Sequence, residues 1–148
     1  MSRVIIFCGQ SGSGKTTIAR EVSNKLNMVC LHKDSIKERL YELQDGKTLE
    51  DSQRIGKQSI LLLLALAEEM IRDGIDVMIE SPFNHFDNLK RFQKWVDQYD
   101  VDIKIVICEI GEEERERRIA TRPRHYSHHD VTRKLLGNFV KDTFDYSQ

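Results

Sequence analysis

The segment that most limits what this chain can fold into is Gly9-Gln-Ser-Gly-Ser-Gly-Lys15-Thr16, which fits G-x-x-x-x-G-K-[ST] at every position. It follows the apolar run Arg3-Val-Ile-Ile-Phe-Cys8. It precedes Thr16-Thr-Ile-Ala-Arg-Glu-Val-Ser-Asn-Lys-Leu26, whose apolar residues recur at helical spacing. The order is strand, glycine loop, helix. Glycines open backbone conformations closed to other residues, so successive N–H groups converge on one anion while the following helix adds its positive end. Gly9, Gln10, Ser11, Gly12, Ser13, Gly14, Lys15, Thr16 and Thr17 are therefore the expected cradle for a nucleotide's phosphates. Within it Lys15 offers a point charge to the β- and γ-phosphates and is expected to face solvent when the loop is empty. The Thr16 hydroxyl is the expected ligand for Mg²⁺.

Short apolar runs and helical patterns alternate along the rest of the chain. Met28-Val-Cys-Leu31 reads as a second strand, and Ser35-Ile-Lys-Glu38 has the form of a capping box, which predicts a helix beginning near Ser35. Residues 44–47 read as a loop. Thr48-Leu-Glu-Asp51 then predicts the cap of a long helix running to Arg72 and Asp73, stopped by Gly74 with a positive φ. Ile75-Asp-Val-Met-Ile79 is the third strand. Phe86, Leu89, Phe92 and Val96 recur at i, i+3, i+6 and i+10 and predict an amphipathic helix. Its aromatic stripe of Phe86, Phe92, Trp95 and Tyr99 reads as core packing rather than a base-stacking platform. Ile103-Lys-Ile-Val-Ile-Cys108 is a fourth strand. Residues 112–121 form a charged helix with Glu114 and Arg118 at i, i+4, residues 122–130 an irregular basic segment, and residues 131–144 another helix. Four strands alternating with helices predict an α/β fold with a mostly parallel sheet, because parallel neighbours need the crossovers that helices supply.

Composition narrows the partners. With 148 residues, 39% of them hydrophobic and 32% charged, the chain is expected to build one domain around one core. Lys plus Arg number 23 against 24 for Asp plus Glu, so no net charge draws the whole molecule to nucleic acid or to anionic membranes. Residues 4–8 are too few for the core of a secretory leader, and the longest apolar run, residues 60–67, is far below the roughly 20 residues of a membrane span. Cys8, Cys30 and Cys108 are odd in number, lack CxxC spacing and end apolar runs, so they read as reduced residues of a cytoplasmic protein.

Two carboxylates stand at the ends of predicted strands, where ligands bind in open α/β sheets. Asp34 directly follows the second strand. With Ser35 read as the helix cap, Asp34 is left as the group that orients an acceptor hydroxyl and takes its proton. Glu80 ends the third strand and is the expected acid that holds Mg²⁺ or its waters opposite Thr16, with orientation of the acceptor as the competing role.

Downstream, Arg115, Arg118 and Arg122 fall at i, i+3 and i+7, on one stripe if the helix persists. Arg118 and Arg122 are the expected phosphate contacts, because guanidinium forks match phosphate oxygens, whereas Arg115 and Arg117 read as a solvated face paired with Glu112 to Glu116. His125, His128 and His129 beside Asp130 lack the companions that a zinc site needs.

The glycine loop, Asp34 with Lys37 after the second strand, and Arg118-Ile-x-x-Arg122 after the fourth together resemble the small P-loop kinases. That group includes the 5′-polynucleotide kinases, the zeta toxins and the chloramphenicol phosphotransferases. The resemblance implies that Asp34 is the general base and that Arg118 and Arg122 belong to a basic lid over residues 112–130. In that family the sheet carries a fifth strand after the lid helix. This sequence shows none, so a sheet of about four strands is expected. The resulting expectation is a kinase that uses ATP and Mg²⁺ on a small molecule, nucleoside or sugar. A nucleotide-binding switch without an acceptor is the first alternative, and a 5′-hydroxyl nucleic-acid end kinase is the second.

Overall fold

A computed structural model describes residues 1–83 and 86–121, with the side chains of Phe86 and Asp87 outside that set. The elements run β1 (Ser2–Cys8), α1 (Lys15–Leu26), β2 (Val29–His32), α2 (Lys33–Leu43), α3 (Leu49–Arg72), β3 (Val77–Glu80), α4 (Phe86–Gln98), β4 (Val101–Ile107) and α5 (Glu112–Thr121). The expected α/β architecture is present. Among the described residues the sheet has four parallel strands in the order β2-β3-β1-β4.

The two central strands carry unbroken apolar runs because both of their faces are covered. Val4, Ile6 and Cys8 of β1 pack with Val77 and Ile79 of β3 against Leu63, Leu64, Ala67 and Ile71 of α3 and against Phe92 and Trp95. Residues of opposite parity take the other face, where Phe7 and Met78 meet Ala19 of α1, Met28 and Cys108. The aromatic stripe is core as expected at Phe92 and Trp95, which are buried and in contact. Val96, expected on the apolar face of α4, does not lie in the core. It is exposed, because α4 turns Trp95 inward and a helix lying on a sheet buries only a narrow stripe.

Register gathers the site. His32 pairs with Glu80 and Phe7 with Glu80, so β1, β2 and β3 end together. The ends of the helices follow the sequence in one case and depart from it in another. At α3 the Thr48 hydroxyl accepts from the Asp51 N–H at 3.0 Å, while Asp51 accepts from the Lys47 and Thr48 N–H groups, completing the expected capping box. Gly74 follows the helix with φ of 74°. At α2 the capping box read at Ser35 does not form. The helix starts at Lys33 with His32 extended and no side-chain cap. β2 runs into α2 without a linker, which leaves Ser35 inside the first turn.

Of the cysteines, Cys8 and Cys108 are buried and Cys30 is half-buried, and none is joined in a disulfide. Burial, followed by the nearby Glu80 charge, pushes the Cys30 thiol up to about 12. No helix among the described residues is long and apolar enough to cross a membrane. The basic segment and helix expected over residues 122–144 lie outside the described residues.

Candidate functional site: a phosphate loop faced by a buried acid

The loop between β1 and α1 needs glycine for reasons of space as well as conformation. Gly9 has φ of 138°, and a Cβ there would stand 2.3 Å from the Cys108 carbonyl oxygen, so the loop presses on the end of β4. Gly12 has φ of 83°, and its missing Cβ would meet Ile119 at 3.0 Å and Arg115 at 3.1 Å. Helix α5 thus lies directly on the loop.

Gly14, with φ of 87°, is the N-cap of α1 and gives the helix no side-chain cap, and the first turn carries no acid. The first N–H groups of α1 therefore keep their positive character for an anion. The Ser13 N–H closes the turn onto the Gln10 carbonyl at 3.1 Å, while the buried Ser13 hydroxyl has no protein partner among the described residues. Orphaned polar groups around a glycine concavity fit a bound phosphate chain.

Lys15 departs from the expected solvent-facing position. It is only 5% exposed, and its ammonium makes a long 3.4 Å contact with the Gln10 carbonyl. The loop wraps the side chain, so the charge is held inside the cradle before any ligand enters.

Thr16 and Glu80 come together as the sequence predicts. The Thr16 hydroxyl donates to the Glu80 carboxylate, which is 2% exposed. His32 Nδ1 lies 3.5 Å from the same carboxylate, an ion-pair separation without a hydrogen bond. Two hard oxygen donors side by side at a phosphate loop fit Mg²⁺, which takes one or two protein oxygens and fills its shell with water and phosphate. Sequence reasoning missed His32, although its place at the end of β2 one residue from Asp34's neighbour Lys33 was a usable signal.

Asp34 stands in the first turn of α2, with a side chain 40% exposed and 3.5 Å from the Lys33 ammonium. It lies two residues past His32, at the same sheet edge as Glu80. Lys37, one turn on, is buried, and a Cβ at Gly56 of α3 would come within 4.0 Å of both the Lys33 and Lys37 ammonium groups. That positive corner between α2 and α3 was not read in full, because Lys33 and Gly56 are distant in sequence.

The α5 arginines separate sharply. Arg117 is the expected solvated residue, bonded to Glu114 at 2.6 Å and 2.9 Å. Arg115, expected to share that face, is instead 3% exposed against Gly12, with its Nε lacking a partner among the described residues. Docking of α5 on the loop decides this, and helical spacing alone could not show it. Arg118 reaches the loop, with one guanidinium nitrogen 3.4 Å from where a Gly14 Cβ would be, while its Nε bonds Glu114 at 3.0 Å. Hydrogen bonds from Arg117 and then Arg118 lower the Glu114 carboxyl to about 2. Arg122 and the three histidines after it lie outside the described residues.

An open groove of about 830 Å³ runs from Gly12, Gly14 and Thr17 past Ile18 to Ile107 and Arg118. Its size suits a nucleotide. Among the described residues no cluster of three or more His, Cys, Asp or Glu side chains is arranged to hold a metal by itself.

The glycine loop, its threonine facing a strand-end acid, and the surrounding sheet coincide with a family model described as an AAA domain, which matches residues 4–143. The chain belongs to this family of P-loop kinases. Solved P-loop kinase structures share its fold. A candidate kinase from Chloroflexus aurantiacus is 23% identical with a TM-score of 0.73, over 97% of this chain and 72% of that one. A sugar kinase from a Janibacter species is 20% identical with a TM-score of 0.59, over 100% and 82%. The Mycobacterium tuberculosis APS kinase CysC, solved in complex with AMPPNP and APS, is 20% identical with a TM-score of 0.57, over 81% and 69%. At such identities the likeness carries the fold. No curated protein matches the chain in sequence.

Proposed function

We propose that this P-loop kinase is an ATP-dependent phosphotransferase that moves the γ-phosphate of ATP to a hydroxyl of a small molecule, nucleoside or sugar. The observation that carries the reading is the Thr16 hydroxyl bonded to the buried Glu80 carboxylate at the foot of an uncapped glycine loop. A turn that binds phosphate without a metal has no need of an acid there, and Asp34 at the same sheet edge favours transfer over a nucleotide-dependent switch, which would hold Mg²⁺ in the same way. Thr16 and Glu80 would hold Mg²⁺, which would supply positive charge to offset that developing on the transferring phosphoryl group.

The residues of the chain divide the rest of the work. Lys15, already inside the cradle, sets a positive charge against the β- and γ-phosphates, and the α1 N–H groups hold the β-phosphate. Arg118, and Arg122 beyond it, supply guanidinium groups to the transferring phosphoryl. Asp34 orients the acceptor hydroxyl and accepts its proton as the hydroxyl oxygen bonds to the γ-phosphorus. The bond from that phosphorus to the β–γ bridging oxygen breaks, and ADP leaves.

The chain leaves the carboxyl edge of the sheet beside the loop after His32 and after Glu80, and residues 32–54 and 81–87 are the segments that would select the acceptor. The CysC structure, with AMPPNP and APS bound together, supports a nucleotide beside a second small ligand. The near-neutral charge of the chain disfavours a strand-tracking nucleic-acid groove. We assign the chain to the cytoplasm, acting as one domain over residues 1–148.

The test is labelled ATP incubated with pooled nucleosides, sugars, antibiotics and 5′-hydroxyl oligonucleotides. Label is expected in a small-molecule pool, and Asp34→Asn is expected to keep ATP binding while losing transfer. Tight ATP binding with no transfer to any pool would replace this reading with a nucleotide-dependent switch.

A further inference from the structure

Helix α3 has two apolar faces, and among the described residues only one packs into the core. Leu63, Leu64, Ala67 and Ile71 are buried against the sheet, and Ile55 is buried as well. On the opposite side Leu61 is 59% exposed, Leu62 39% and Leu66 37%, with Ala65 also exposed. Leu43, at 80% the most exposed leucine among the described residues, precedes Gln44, which bonds Gln58 and Arg54 beside this stripe. Leucines gathered on a solvent face lose free energy in water that a partner would recover.

The charges bordering the stripe say which partner. At 3.6 residues per turn Arg54, Gln58, Leu61, Leu62, Ala65 and Glu69 fall within an arc of about 100°. A basic residue closes the N-terminal end of that arc and an acidic one the C-terminal end. The pattern is therefore complementary to itself when reversed. We propose that this face binds a second copy of the chain, with the two α3 helices antiparallel about a twofold axis between Leu61 and Leu62.

In that register Leu61 meets Leu62 of the second copy, Gln58 meets its Ala65, and Arg54 meets its Glu69. One turn further out Asp51 comes opposite Arg72 of the second copy, again with opposite signs. A parallel pairing would instead set Arg54 against Arg54 and Glu69 against Glu69, so the charges select the direction. Arg54 uses two of its five N–H donors on Gln44 and Asp51 of its own chain, which leaves donors for the partner. Glu69 makes no ion pair among the described residues. Gly56, which faces Lys33 and Lys37, lies on the far side of the helix, so the pairing leaves the candidate site open. One helix pair covers less than the roughly 1,600 Å² of a standard interface, so the dimer is reversible and depends on concentration.

Light scattering and sedimentation velocity across the micromolar range test this. The mass is expected to rise from 17.3 kDa toward twice that value with concentration, and Leu62→Glu is expected to remain monomeric with an unchanged melting curve. Arg54→Glu and Glu69→Arg should each weaken association about tenfold, and the two together in one chain should restore it, since each face then meets its complement. Because Arg54 also has intramolecular bonds, the restoration separates a lost interface from a lost fold. A monomer at every concentration would give this face to another partner and overturn the proposal. So would a combined variant that associates no better than the single ones.

Discussion

Helices α1 and α3 begin in opposite ways. α3 opens on Thr48 and Asp51, whose side chains and backbone N–H groups satisfy one another, with Glu50 and Asp51 adding negative charge to its positive end. α1 opens on a left-handed Gly14, with no side-chain cap and no acid in its first turn. Against glycine a capping side chain is worth only about a few tenths of a kcal/mol, so α1 gives up a little stability that α3 takes. What α1 keeps is a first turn without a side-chain cap, a buried Ser13 hydroxyl and a sequestered Lys15 ammonium around one concavity. The end of α3 is spent on folding, and the end of α1 is kept for an anion.

If that division holds, mutations at the two ends should fail in different assays. The largest effect is expected from Lys15→Ala, which should lower ATP–Mg²⁺ affinity by roughly 100-fold or more by calorimetry. The ligand-free protein should melt no lower than the parent, because the variant removes a buried ammonium whose contact with the Gln10 carbonyl is 3.4 Å long. An unaltered affinity would mean that the cradle is not used as read.

Thr48→Ala should do the reverse. It is expected to cost about 1 kcal/mol in urea denaturation while leaving ATP affinity unchanged.

Acid sharpens the same contrast. Backbone hydrogen bonds from Lys47 and Thr48, then the Arg54 side chain, lower the Asp51 carboxyl from 3.8 to about 2. A carboxyl depressed in the folded state stabilises above its unfolded pKa and loses that contribution as pH falls through its folded one. The stability difference between the parent and Asp51→Asn should therefore be full above about pH 4 and shrink toward about pH 2. A difference that stays constant through that window would remove Asp51 from the cap. The smallest effect is expected at the exposed Arg117, where Arg117→Ala should change neither stability nor ATP affinity measurably.

The site was legible wherever chemistry and spacing are local. The glycine loop declares itself within eight residues, and Glu80 could be set against Thr16 because a strand-end acid beside such a loop has few other places to point. The cap of α3 was read correctly from Thr48 and Asp51. The same form of pattern failed at Ser35, because its signal assumes a linker before the helix and β2 gives none. Arg115 and Arg117, two residues apart with the same chemistry, were read alike and differ completely, since one falls under Gly12 and the other over water.

The sequence by itself determined the α/β alternation, the phosphate loop and the identity of the strand-end carboxylates, because backbone conformation and periodicity act over a few residues. Tertiary structure decided the strand order β2-β3-β1-β4, the burial of Lys15 and Arg115, the meeting of Lys33 and Lys37 at Gly56, and the leucines left outside on α3. Each of those depends on which segments, distant along the chain, exclude water from one another, and no short window of sequence carries that information.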